Sequence, residues 1–166
     1  SVTFMSPSKA FNMPGLSAAH ALIFNEDVRK RFRIYMDAGE LDMGHVFAFL
    51  SVEAAYSHGT EWLDQCLAYI QGNIDFVDEF LKKHAPKIKA IRPEASYLVW
   101  LDCRELELSQ KDLNEFFVDK AHLALNDGEM FGKEGIGFMR LNVASPRCII
   151  EKAMKQLADA YQLYIK

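Results

Sequence analysis

The stretch that decides how this chain reads is SVTFMSPSKAFNMPGL, residues 1–16. Val2, Thr3, Phe4 and Met5 are β-branched, aromatic or apolar and suit a short buried strand, which Ser6 and Pro7 break. Lys9 therefore falls just past a strand end, on an irregular loop that Asn12, Pro14 and Gly15 prolong. Open α/β sheets place ligands at such edges. A lysine amine ordinarily titrates near ~10.4, so only about one in a thousand is a free nucleophile at neutral pH unless burial or a cationic neighbour lowers that value. Ser6 and Ser8 offer hydroxyls that could hold a phosphate beside such an amine. Without further context, a loop lysine beside serines is more often an ordinary solvated side chain.

Outward from that loop, the patterning alternates helices with short strands. Residues 18–24 read as an extended segment, and Asn25 caps a helix over 27–38 that Gly39 ends. A second helix is expected over 44–58. Its Val46, Phe47, Phe49, Leu50, Ala54 and Ala55 form an apolar surface broad enough to call for burial against more than one partner. Thr60 caps a long helix to His84, striped by Trp62, Leu63, Cys66, Leu67, Ile70, Ile74, Val77, Phe80 and Leu81, with a bend expected at Gly72 and Asn73.

Beyond Pro86 the pattern changes to strands over 88–91, 97–101, 122–125 and 138–144. Ser109 caps a helix over 110–120, and Ser145 with Pro146 opens a last amphipathic helix. Gly132, Gly135 and Gly137 mark tight turns. They do not form a dinucleotide fingerprint, because no helix opens from them in the required order.

Composition narrows the classes. The 166 residues are half hydrophobic and a quarter charged, enough for one sizeable core. A net charge of −4 argues against a nucleic-acid or anionic-membrane surface, which a basic field usually reads. Arg29, Lys30, Arg31 and Arg33 read as a solvated helix face, with a basic docking patch as the lesser reading. Three separated cysteines, Cys66, Cys103 and Cys148, form no zinc spacing and suit a reducing cytoplasm. Cys148, near a helix start, is the one whose thiolate would be favoured, though a small buried hydrophobe is the preferred reading of each. His20, His45, His58, His84 and His122 are scattered and suggest no metal site, and no apolar run approaches a membrane span.

SPSKAFNMPGL resembles the cofactor-lysine segment of the pyridoxal-phosphate enzymes of aminotransferase fold type I, within the class I/II aminotransferase superfamily. It is most similar to the cystathionine β-lyase (MalY/PatB) type of carbon-sulfur lyase. AAYSHGTEWLDQCLAYIQGN (54–73) and DGEMFGKEGIGFMRLNVASPR (127–147) resemble later blocks of the same family, in the same order.

The resemblance implies a mixed α/β and α+β chain, the C-terminal part of the aspartate aminotransferase-like fold. Residues 1–58 would be the end of the large cofactor-binding domain, 59–84 an interdomain helix, and 85–166 a small C-terminal domain. It makes Lys9 the catalytic and cofactor-binding lysine, with Ser6 and Ser8 beside the cofactor, and Arg140 the residue that grips the substrate α-carboxylate. From the residues alone, Arg140 on an apolar strand needs an anionic partner, and an internal salt bridge to Asp127 or Glu129 is the competing reading. Arg147 is a weaker candidate with a structural or surface role.

The implied activity is β-elimination of a sulfur amino acid to thiol, keto acid and ammonia, with transamination served by the same residues. The implied partners are a small amino-acid substrate, a second copy in a homodimer, and the N-terminal half that family members carry. That half supplies the phosphate loop, the aromatic stacked on the ring, and the acid paired with the pyridine nitrogen. This chain by itself is therefore expected to bind the cofactor weakly and turn over little. A catalytically silent, self-associating fragment is the reading from a different class. Where the family commonly has Asn-x-Phe-Gly, this chain has His45 and Ala48, so His45 is read either as reaching a neighbouring active site or as structural.

Overall fold

A computed structural model of the chain describes residues 1–41, 44 and 46–164, so the expectation for His45 lies outside the described residues. The chain divides into two compact units, Ser1–Cys66 and Leu67–Lys166.

In the first unit, β1 (Thr3–Met5) pairs antiparallel with β2 (His20–Leu22), Thr3 opposite Leu22 and Met5 opposite His20. The expected strand is present but not buried: all three β1 residues are exposed, Phe4 to 68%. A two-stranded sheet has no covered face until another layer packs on it, and the contact of the Phe4 ring with Phe32, 6.1 Å between centroids, leaves most of β1 in solvent. α1 (Glu26–Ala38) begins where the Asn25 side chain accepts the Val28 N–H at 2.9 Å. Glu26 and Asp27 in its first turn complement the helix dipole, and Gly39 closes it. α2 (Val46–His58) forms as expected, yet only Ala48 is buried. Phe47, Phe49 and Leu50 stay more than half exposed, so the broad apolar surface is not buried as the sequence called for.

α3 (Thr60–His84) is one continuous helix that runs unbroken through Gly72 and Asn73. The polar Asn73 is instead fully buried and bonded at its side chain. In the second unit four antiparallel strands lie in the order β3 (Lys89–Ile91), β4 (Leu98–Asp102), β6 (Phe138–Asn142), β5 (Asn126–Asp127). Alternation along β4 and β6 sends Val99, Leu101, Met139 and Leu141 to one face. There they join Val77 and Leu81 of α3 and Ile150, Met154 and Leu157 of α5 (Arg147–Tyr164) in one core. Each such side chain contributes about 1.5–3 kcal/mol by leaving water.

Two segments differ from expectation. The helix that Ser109 caps is α4 (Gln110–Glu115), which widens into a π turn over Phe116–Lys120 whose last bond runs from the Ala121 N–H to the Phe116 carbonyl. No strand forms over 122–125. His122 takes φ 55°, and the Leu123 N–H turns back to the Phe117 carbonyl at 2.8 Å, leaving only Asn126 and Asp127 to pair with β6.

Candidate functional site

Past β1 the chain coils tightly, with the Phe11 N–H on the Pro7 carbonyl and the Met13 N–H on the Ser8 carbonyl, both at 2.9 Å. Asn12 sits at φ 50°, a left-handed conformation that asparagine tolerates better than most residues. The loop is pinned by Phe11. Its ring meets Tyr56 edge-on at 6.0 Å and stacks near Trp62 at 6.2 Å. A Cβ on Gly59 would come within 2.5 Å of that ring, so the glycine is what lets Phe11 seat. The sequence reading assigned Phe11, Tyr56 and Trp62 no part in the site; the signal for them is the clustering of aromatics around Gly59 in the 54–73 block.

Lys9 projects from this coil and is exposed, and among the described residues its ammonium has no hydrogen-bond or ion-pair partner. The serines beside it face the other way. The Ser6 hydroxyl donates to the Ala18 carbonyl at 2.6 Å and accepts the Ser8 N–H at 3.2 Å; the Ser8 hydroxyl lies 2.6 Å from Ser6 Oγ and 3.4 Å from the same carbonyl. Both hydroxyls thus close the loop. A phosphate oxygen only accepts, so these groups serve one only after turning outward. Lys9, Ser6 and Ser8 share this loop of the first unit, while Arg140 stands on the sheet of the second.

Arg140 lies on β6 with its side chain on the face opposite the core, between Trp100 of β4 and Asn126 of β5 in register. Its guanidinium lies over the Phe131 ring, 4.5 Å from the centroid, and donates from Nη2 to Asn126 Oδ1 at 2.8 Å. Nε is buried and unpartnered. The competing reading, a salt bridge to Asp127 or Glu129, is not formed. Asp127 is already held by Gln110, by Asn114 and by the Glu129 N–H at 2.8 Å. Among the described residues, then, a half-buried cation carries no anion. Desolvating a charge without pairing it is unfavourable, so an anion that reached this position would be stabilised there.

Phe131 is delivered by two nested 3-10 turns, Gly128–Phe131 and Lys133–Gly135. A Cβ on Gly128 would fall 2.2 Å from the Gly135 carbonyl, so these turns close only around glycines.

Arg147 has the structural role. Its Nε donates to Asn73 Oδ1 at 2.8 Å, its backbone N–H donates to the Tyr69 hydroxyl at 2.6 Å, and its guanidinium lies over Phe76. Cys103 is buried and its thiol is pushed up, chiefly by burial and further by Asp102, so it is inert; Cys148 is exposed. Among the described residues no three His, Cys, Asp or Glu side chains could hold a metal ion, and no helix is long and apolar enough to cross a membrane.

Among the described residues, part of what pyridoxal phosphate needs is met: an uncommitted primary amine on a hydrogen-bonded coil, and a guanidinium lacking an anion. The phosphate donors are only partly met, since both serine hydroxyls are turned inward.

Comparison with known proteins agrees with these features. The family profile for aminotransferase class I and II matches residues 1–158. Cystathionine beta-lyase PatB of Bacillus subtilis is 36% identical over 160 residues, 96% of this chain and 41% of that protein. Protein MalY of Escherichia coli is 31% identical over 156 residues, 93% of this chain and 40% of its own length. The crystal structure of cystalysin from Treponema denticola, which contains a pyridoxal 5'-phosphate cofactor, superposes with a TM-score of 0.89 at 34% identity. That match covers 97% of this chain and 41% of cystalysin. The chain therefore spans about 41% of the length of the first of these relatives.

Proposed function

From the premise that this chain belongs to the aminotransferase class I and II family and has part of the fold of its pyridoxal-phosphate-dependent members, we propose that it carries the lysine and the carboxylate-binding arginine of a carbon-sulfur β-lyase. The observation that carries this reading is Arg140: a half-buried guanidinium, stacked and held, with no anion among the described residues. Both hydrogens on Nη1 and one on Nη2 are uncommitted among the described residues, enough for a fork to the two oxygens of an α-carboxylate. The substrate class is thus a small amino acid.

Pyridoxal phosphate, when bound, supplies an aldehyde to bond the amino nitrogen and a ring that draws electron density from the substrate Cα. Lys9 would hold that aldehyde carbon, and Ser6 and Ser8 would reach the phosphate on turning outward. Once displaced by substrate, Lys9 Nζ as the neutral amine takes the α-proton, and as the ammonium it can return that proton. Arg140 fixes the carboxylate, and so the face of Cα offered to the base. A substrate whose β-substituent can leave as a thiolate would undergo β-elimination after Lys9 takes the α-proton, and one without such a leaving group would be directed to transamination. The same side chains serve both, and similarity to PatB and MalY favours elimination.

The domain division that goes with this reading is 1–58, 59–84 and 85–166. A second copy of the chain, or residues matching the remainder of the relatives' length, would cover the exposed Phe4, Phe24, Phe47 and Phe49. Three free thiols suit a reducing cytoplasm.

The test is to incubate the chain with pyridoxal phosphate, reduce with borohydride and map the label. Saturable labelling at Lys9 is expected, and label spread over surface lysines would overturn the assignment. Pyruvate release from L-cystathionine without added keto acid, measured when the chain is joined to the remainder of the protein, selects lyase over aminotransferase.

A further inference from the structure

The sheet face bearing Arg140 holds a second arginine built almost the same way. Arg104 lies over the Phe138 ring at 4.8 Å, as Arg140 lies over Phe131 at 4.5 Å. Trp100 meets both rings edge-on, at 6.0 Å and 5.4 Å. The two guanidinium groups thus end one chain of aromatic contacts, and ring faces that fix a cation's plane serve each alike.

They differ in the group that bonds them. Arg104 donates from Nε and Nη2 to both oxygens of Asp102, at 2.9 and 2.7 Å. Arg140 donates from Nη2 to the amide oxygen of Asn126 at 2.8 Å. The first cation is neutralised by its partner; the second is only oriented. The one carboxylate adjacent in sequence, Asp127, is tied off by Gln110, Asn114 and the Glu129 N–H.

We propose that Asn126 is a positioning residue for Arg140 whose neutrality keeps the guanidinium open to a substrate α-carboxylate. It holds Nη2 in place through a dipole and leaves the charge unspent. An aspartate at this position would supply the carboxylate from within, at an effective concentration that a free ligand could not match. Selection of an external anion here is set as much by the missing internal charge as by the arginine itself.

This inference rests on the carboxylate-binding reading of Arg140, and the experiment separates the two. In the full 166-residue chain, the 15N Nε–H resonance of Arg140, assigned by its disappearance in Arg140→Lys, is followed during titration with acetate. Wild type is expected to show a saturable shift. Asn126→Asp is expected to bind acetate about tenfold or more weakly, while Asn126→Ser, neutral and smaller, stays within about threefold of wild type. The reciprocal variant Asp102→Asn is expected to give the Arg104 Nε–H a saturable acetate response that wild type lacks.

A wild-type Arg140 that ignores acetate overturns both the carboxylate reading and this inference. A wild type that responds beside an Asn126→Asp chain that responds equally overturns this inference alone. An equal loss in Asn126→Ser and Asn126→Asp does the same, because shape and not charge would then decide. So does an unresponsive Arg104 in Asp102→Asn, an arm that stands even where Asn126→Asp fails to fold.

Discussion

Asn73 allows the sharpest calculation. It is fully buried on α3, where Nδ2 donates to the Val143 carbonyl at 2.9 Å and the Ser145 carbonyl at 3.0 Å while Oδ1 accepts from Arg147 Nε at 2.8 Å. One side chain therefore ties the middle of α3 to the end of β6 and the start of α5. Asn73→Ala strands all three partners. A buried carbonyl left unpaired costs about 1–3 kcal/mol, and the two less buried groups add about 0.5–1.5 kcal/mol each after water reaches them, or about 2–6 kcal/mol in total. With a urea dependence of about 2 kcal/mol per molar, the unfolding midpoint should fall by about 1–3 M. Trp100 emission in a Trp62→Phe background reports this unit alone, since the chain has two tryptophans. Asn73→Asp keeps the contact to Arg147 but turns an acceptor toward two carbonyls, and should do no better than alanine. A midpoint within about 0.5 M of wild type for Asn73→Ala would refute the reasoning, because the three bonds would then be replaceable by solvent.

Gly128→Ala should break the nested turns under Phe131, because its Cβ would meet the Gly135 and Phe138 carbonyls at 2.2 and 2.5 Å, and neither is a side chain that can swing away. The near-UV circular dichroism of the Trp100 and Phe131 cluster should weaken; an unchanged spectrum would count against the closure argument. The Arg104 side-chain hydrogen bond, more than its backbone N–H and its charge, holds the Asp102 carboxyl below its ordinary value of 3.8 against the opposing effect of burial. A depressed acid contributes stability that is fully present above its unfolded value and is lost as pH falls through its folded value. Urea midpoints should therefore fall below about pH 4 in wild type more steeply than in Asp102→Asn; parallel pH profiles would remove Asp102 from the account. Hydrogen exchange should protect β4, β6 and α5 well above β1, β2 and α1, because the core cluster lies wholly in the second unit. Equal protection would show that the first unit is held by more than its own side chains suggest.

The elements were legible where local chemistry decides them. Asn25 and Ser109 cap the helices that their positions announce, and the alternation in 138–144 correctly placed Arg140 opposite a buried face. What stayed hidden depends on where a polar side chain finds its partner. Asn73 read as a helix interruption because its bonds go to residues about seventy positions away, which no local pattern contains. The segment 122–125 read as a strand because His122, Leu123 and Leu125 suit one, while the widened turn before it reverses the chain. Burial of β1 and α2 was inferred from apolarity, but apolarity records only that a side chain is better covered, not that its own unit covers it. The three-block resemblance is what assigns Lys9 and Arg140 to the proposed site. The partners that orient them, Phe11, Phe131 and Asn126, emerge only from side-chain contacts.

The two groups proposed for the site are held by different means. Arg140 projects from a five-residue strand paired on both sides, over Met139 and Leu141, which are buried in the main core. Its ring and amide contacts rest on a scaffold whose stability owes nothing to a ligand, so the guanidinium can be fixed before any carboxylate arrives, and little ordering is left for binding to oppose. Lys9 sits on a coil whose anchors are Phe11 and a pair of serines, in a unit whose buried apolar side chains are Ala18, Ile23 and Ala48. Ordering that amine draws on fewer contacts. Whatever covers Phe4, Phe47 and Phe49 would add the apolar burial that this unit lacks. Any contact that stiffens the first unit should therefore act mainly on the lysine chemistry and leave carboxylate binding at Arg140 nearly unchanged.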